Sequence, residues 1–222
     1  MLPSQTVENY LKTIYLAQAD LAAPDDLVPM GRLAAALGVV PGTATTMVKT
    51  LAESGLVRYE PYMGVRLTPA GEKLASLVSR RHRLIELFLV KVLGMSWTEV
   101  HDEAERLEHA VSERLIDRID EMLGRPEVDP HGDPIPTPEG TVPVQRHLDL
   151  LTAPLGTSFT VTRVLDQDAA FLRFLEAHGL TPGSALVIEA RDAAAQTVRV
   201  RGARRAPMTI GWRAASRVLV QP

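Results

Sequence analysis

Cysteine is absent from all 222 residues of the sequence. Its absence excludes disulfides, thiolate nucleophiles and cysteine-ligated zinc or iron–sulfur sites, so any metal has to be held by imidazole, carboxylate, amide or thioether groups. Long apolar runs are missing too: no window approaches the ~20 uninterrupted apolar residues of a membrane-spanning helix. The opening MLPSQTVENY lacks the basic-then-apolar pattern of an export signal. The expectation is a cytoplasmic protein with no membrane partner. Internal repeats and low-complexity runs are also lacking. With 45% hydrophobic and 23% charged residues, the chain can bury one generous core or two to three small ones.

The formal net charge of −3 is unevenly spread. Residues 1–73 hold 6 Lys+Arg against 7 Asp+Glu, residues 74–140 hold 8 against 14, and residues 141–222 hold 10 against 6. Pooled negative potential in the middle segment favours a cation, although an acidic solvated helix face would read the same way.

Apolar spacing predicts a first amphipathic helix over Val7 to Ala19, ended by a polar break from Asp20 to Asp26. Gly31 to Leu37 reads as a short helix stopped by Gly38, and Pro41 opens another that runs to about Ser54. Two short helices around a tight glycine turn form a helix-turn-helix pattern. After Gly55 the period changes to two, with Leu56 to Glu60 and Val65 to Leu67 as the arms of a hairpin, or wing. Thr68 as N-cap and Pro69 at the first helical position start a long helix through about Val92. A further helix is expected from Ser96 or Trp97 to Leu123, with a possible break at Ser112. Gly124 to Pro143 holds six prolines and reads as a linker or extended crossover. Beyond it, short strands at Phe159 to Val164, Ala185 to Ala190, Thr197 to Arg201 and Arg217 to Val220, with one helix at Ala169 to Ala177, suggest a small barrel.

DNA affinity needs cations near phosphates and small polar groups near base edges. Val40, Pro41, Gly42, Thr43 and Thr46 begin and line the candidate recognition helix, whereas Thr45, Lys49 and Arg58 suit phosphates. The near-neutral charge of residues 1–73 argues against strong binding by one copy, so a homodimer presenting two copies to double-stranded DNA is the expected reader.

The richest stretch is His101-Asp102-Glu103-Ala104-Glu105-Arg106-Leu107-Glu108-His109. On a helix, with His101 at zero, Glu105 falls at about 40°, Glu108 at about −20° and His109 at about 80°, so four potential ligands share a face. The preceding helix offers His82 and Glu86 at i and i+4. Oxygen ligands with imidazole and no sulfur suit manganese(II) or iron(II), and zinc or cobalt(II) would also bind such a set. The same residues would also make an ordinary solvated, ion-paired helix surface.

Taken in order, TVENYLKTIY, GRLAAALGVVPGTATTMVKTLAESGLV, LTPAGEKLA, RRHRLIELFL, VHDEAERLEH and DPHGDPIP resemble the diphtheria toxin repressor and manganese transport regulator family over nearly the whole chain. The resemblance implies a mainly α protein with small β parts: a winged helix-turn-helix DNA-binding domain (1–73), a helical dimerisation and metal-binding domain (74–140) and a C-terminal SH3-like β-barrel (150–222). It implies a repressor of manganese or iron homeostasis that takes Mn(II) or Fe(II) as co-repressor and binds pseudo-palindromic operators as a dimer. By position, His82, Glu86 and His101 match one family metal site, and Glu105, Glu108 and His109 most of a second. Asn9 stands where members place a Met or Asp ligand, and Asp166 and Asp168 in the region that supplies oxygen ligands from the SH3-like domain. Glu105 stands where iron-sensing members have Cys, as in the manganese-sensing branch. Asp168 also suits the N-cap of the helix that follows it. The competing class is a di-metal carboxylate helical-bundle enzyme, which wants Glu-x-x-His on each of two helices; neither motif helix supplies it.

Overall fold

A computed structural model describes every residue except 1–3, 20, 22, 24, 143–146 and 204–205. The expected polar break at Asp20 to Asp26 and the expected end of the proline-rich stretch at Pro143 therefore lie partly outside the described residues. The chain forms two compact units, residues 1–81 with 136–142 and residues 82–135 with 143–222.

In the first unit, α1 (Gln5–Ala19), α2 (Met30–Ala36) and α3 (Pro41–Glu53) precede the hairpin β1 (Val57–Glu60) and β2 (Gly64–Leu67). Leu11, Ile14, Leu33, Ala44, Val48 and Leu51 are fully buried among them. Pro41 occupies the first turn of α3, where a missing N–H costs nothing. Gly38, at φ 63°, makes the reversal from α2 into α3, a conformation that a Cβ disfavours. The antiparallel wing is pinned by reciprocal hydrogen bonds between Val28 and Val65 of 2.9 and 3.0 Å. Gly64 cannot carry a side chain, because its Cβ would lie 2.5 Å from the Val28 carbonyl.

The long helix α4 (Pro69–Lys91) starts where the sequence predicts, with Thr68 Oγ1 accepting from Gly71 N at 3.2 Å. Its first half belongs to the first unit, where Arg81 donates to Glu8 at 2.6 Å and Arg80 to the Pro136 carbonyl at 2.8 Å. Its second half belongs to the second unit with α5 (Val100–Leu107) and α6 (Glu113–Met122), around Leu84, Ile85, Val100, Ala104, Ile116 and Ile119. The expected long helix is thus two helices. The break spans residues 108–112 and ends at the expected Ser112, whose side chain caps α6 by accepting from Leu115 N.

Two features of the proline-rich stretch depart from a free linker. Val128 and Pro134 form an isolated bridge, and Asp129, His131, Asp133 and Ile135 are buried. Gly132 packs so tightly that a Cβ would come within 1.9 Å of the Thr162 carbonyl.

The C-terminal part contains β3 (Leu148–Asp149), β4 (Ser158–Val164), α7 (Ala169–His178), β5 (Ala185–Asp192), β6 (Thr197–Gly202), β7 (Met208–Gly211), α8 (Trp212–Ala215) and β8 (Val218–Gln221). The strands order as β3-β8-β4-β5-β6-β7. A closed barrel was the expectation; the sheet is instead open, with β3 and β7 as edges among the described residues. The two short strands and α8 carry too few residues for a period to show in sequence. Among the described residues no helix is long and apolar enough to cross a membrane.

Candidate metal centre and DNA surface

The second half of α4 carries His82 and Glu86 one turn apart, both buried, as the 3.6-residue repeat requires. His82 Nε2 lies 3.0 Å from Glu86 Oε1 and 3.1 Å from His101 Nδ1, while its Nδ1 lies 2.7 Å from Glu108 Oε2. One imidazole therefore touches two sets of candidate ligands. His82, Glu86 and His101 place one ligand atom each within 4.8 Å of one another, and so do His82, Glu105 and Glu108. His101 Nε2 sits 3.9 Å from Glu105 Oε1, the expected i, i+4 pairing on α5.

Helix α5 ends at Leu107, so Glu108 is its C-cap and His109 lies in the turn beyond. Glu108 still has helical angles (φ −57°, ψ −27°), which keeps it facing His82. His109 Nε2 lies 3.2 Å from Glu108 Oε1. Asn9, on α1 of the other unit, buries its Oδ1 with no hydrogen-bond partner.

A third group was not anticipated from sequence. Glu86, Asp129 and His131 also bring ligand atoms within 4.8 Å, all three buried. Glu86 Oε2, Asp129 Oδ2 and His131 Nδ1 each lack a hydrogen-bond partner. His131 Nδ1 and Glu86 Oε2 are 3.7 Å apart, beyond hydrogen-bond reach. Buried polar atoms are almost always satisfied, so three residues that each hold such an atom and cluster their ligand atoms within 4.8 Å fit a cation site. Asp129-x-His131 was hidden in sequence because prolines and glycines around it gave no helical face to rank it on.

Electrostatics agree with that fit. Burial pushes the Glu86 carboxyl up, but its contacts with His101, His131 and His82 hold it well below the ordinary value. Asp129 is raised well above the ordinary value by burial and by the neighbouring Asp133 and Glu86 carboxylates, against the opposing pull of His131 and Arg83. Burial lowers His131, but Glu86 and Asp129 outweigh it and raise the ring above 6.5. A cation would relieve the repulsion between the carboxylates.

The residues expected from the C-terminal domain fall elsewhere. Asp168 caps α7, accepting from Phe171 N at 2.9 Å, and Asp166 pairs with Arg217 and accepts from Asp168 N. Neither belongs to a ligand group among the described residues. That domain reaches the centre through Gln167 and Arg163, both bonded to Asp133.

On α3, Ala44, Val48 and Leu51 face the core, leaving Pro41, Gly42, Thr43, Thr46 and Lys49 exposed with the preceding Val40; Thr45 is half-buried. Thr46 Oγ1 donates to the Gly42 carbonyl at 3.0 Å and Thr45 Oγ1 to Pro41 at 2.8 Å. Their protons are used within the helix, so outward they offer methyl groups and acceptor lone pairs. Arg58 is exposed on the wing, 3.1 Å from Glu60.

Comparison with known proteins accounts for each part. Residues 3–65 match the iron dependent repressor N-terminal DNA binding domain, residues 68–137 the iron dependent repressor metal binding and dimerisation domain, and residues 148–222 the FeoA domain. The iron-dependent repressor IdeR of Mycobacterium tuberculosis is 31% identical over 209 residues, covering 89% of each chain. A manganese-dependent transcriptional repressor solved in complex with manganese superposes with a TM-score of 0.87 at 42% identity, covering 96% of this chain and 98% of that one. The manganese regulator SloR superposes at 0.77 with 32% identity, covering 100% and 99%. These relatives are repressors rather than enzymes, and nothing in the comparisons favours a di-metal bundle enzyme. The chain belongs to the iron-dependent repressor family of metal-dependent, DNA-binding transcriptional regulators.

Proposed function

We propose that this chain represses genes of manganese or iron homeostasis, binding a pseudo-palindromic operator as a homodimer when it holds manganese(II), or iron(II), as co-repressor. The observation that carries the metal reading is that Glu86, Asp129 and His131 bring ligand atoms within 4.8 Å of one another, and each has a buried polar atom without a hydrogen bond, beside the His82 ligand groups. The bound cation supplies positive charge and fixed coordination. His82, Glu86, His101, Glu105, Glu108 and His109, together with Asp129 and His131, would hold it, with Asn9 as the proposed amide-oxygen ligand. An oxygen-and-imidazole set without thiolate favours manganese(II) or iron(II) over softer metals. Leu107, Leu115 and Met122 leave α5 and α6 with exposed apolar side chains, which a second copy would cover, in the segment that matches a dimerisation domain.

Operator binding, followed by anisotropy against each divalent metal at buffered free concentration, tests the metal assignment. The parent protein should respond to manganese(II), and Glu105→Cys should shift the response toward iron(II), cobalt(II) or nickel(II). An unchanged ranking removes Glu105 from the argument for manganese.

A further inference from the structure

We infer that Trp97 is a positioning residue that ties metal occupancy of the Glu86–Asp129–His131 group to the C-terminal sheet domain; this rests on the reading that the group takes a cation. Trp97 leaves the segment between α4 and α5 in a turn fixed by Ser96, whose Oγ accepts from Thr98 N at 3.2 Å. Trp97 is 9% exposed and packs in one cluster with Leu150, Phe159, Leu172, Leu175 and other core residues of the C-terminal domain. Its Nε1 donates to Glu176 Oε1 on α7 at 3.1 Å. A side chain from the helical segment is therefore part of the core of the sheet.

The same residue holds the metal group. His131 Nε2 donates to the Trp97 carbonyl oxygen at 2.8 Å, and the two rings lie 5.6 Å apart, tilted by 36°. With the proton of the neutral ring committed to Nε2, the lone pair sits on Nδ1, the atom that faces Glu86 and lacks a partner. A metal-ligating histidine is normally oriented through its other nitrogen in this way. The backbone of His131 is also tied to the sheet, its carbonyl accepting from Val164 N at 2.9 Å. Movement of the imidazole on coordination would be passed to Trp97, and from the indole N–H to α7.

The test uses the full chain carrying Trp212→Phe, which leaves Trp97 as the only one of two tryptophans. Bound manganese(II) is counted at equilibrium, Trp97 emission is recorded through the titration, and amide exchange is measured over α7. The expected result is that the emission change follows filling of the group and is lost in His131→Ala. In the exchange arm, Glu176→Ala, and Trp97→Phe in the parent chain, should keep the fold and the number of bound ions. Both leave in place the Trp97 carbonyl that orients His131, so they should weaken binding at this group by less than the ~10-fold that follows loss of an outer partner, and abolish the metal-induced protection of α7. If His131→Ala binds as many ions as the parent, the metal reading of the group is wrong. If His131→Ala loses an ion but Trp97→Phe and Glu176→Ala match the parent in affinity and protection, the metal reading stands and the role of Trp97 is overturned.

Discussion

His82 Nδ1 lies 2.7 Å from Glu108 Oε2, and both residues are buried, so α4 and the end of α5 are joined through an imidazole that also faces Glu86 and His101. Among the described residues, His82 belongs to two of the three ligand groups, whereas His101 belongs to one. Their removal is therefore unequal. His82→Ala should lower manganese(II) affinity by more than the ~10–100-fold that follows loss of an outer partner, with a smaller loss for His101→Ala, both read by calorimetric titration. Equal losses would show that His82 is not shared.

Asp129→Asn should raise the stability of the metal-free protein at neutral pH while shrinking the gain on adding manganese(II). Burial and the Asp133 and Glu86 carboxylates raise the Asp129 pKa above its ordinary value of 3.8. The folded state thus favours the protonated form, a contribution fully present below 3.8 and lost as pH rises from there through the higher folded value. Asparagine keeps the acceptor for His131 N and Asp133 N, at 2.8 and 2.9 Å, without the charge. The expected gain is on the order of 1–3 kcal/mol, the range for relieving an uncompensated buried polar group, measured by urea unfolding in chelator. A destabilised variant would contradict the electrostatic account.

Much of this centre is legible in sequence because helices turn spacing into proximity. His82 with Glu86, and His101 with Glu105, lie one turn apart and meet as their numbers require. Glu108 fits the same face although α5 has just ended, since its angles remain helical. Asp129 and His131 defeat the method: they sit on an irregular loop whose course is set by tertiary packing, above all Gly132 against Thr162 and His131 against Val164. Asp168 shows the reverse case, since the cap for α7 that it makes was readable from sequence beside the ligand role implied by resemblance. The open sheet escapes for a third reason, since closure depends on long-range pairing of β3 and β7 that no local period encodes.

Thr46 and Lys49 are both exposed on α3 but should fail differently. The Thr46 hydroxyl proton is taken by the Gly42 carbonyl, leaving a methyl and an acceptor for a base edge. Thr46→Ala should alter preference at one position per half-site by roughly 1–3 kcal/mol. Lys49→Ala should weaken all operators alike and reduce the salt slope by about one unit per lost phosphate contact. Identical behaviour across operators and salt concentrations would move the recognition surface off this face.

His147 supplies a pH dependence through a group outside the ligand clusters found among the described residues. Its Nδ1 lies 2.9 Å from Thr162 Oγ1. Burial, and then the charge of Arg163, lower its pKa below 6.5. The unfolded chain therefore takes up this proton first, and stability is lost as pH falls through 6.5 toward the folded value. His147→Gln should flatten the melting temperature of the C-terminal domain between about pH 7 and pH 5.5 relative to the parent. A parallel pair of curves would show that this imidazole is not the sensor.

The claim on which everything else depends is that metal controls DNA binding. Affinity of the full chain for one operator, measured by anisotropy in strong chelator and again at saturating free manganese(II), tests it directly. The account predicts tighter binding with metal, by roughly the 5- to 150-fold typical of coupled ligands, and no such gain in Glu108→Ala. Full-affinity binding by the thoroughly chelated protein would contradict it.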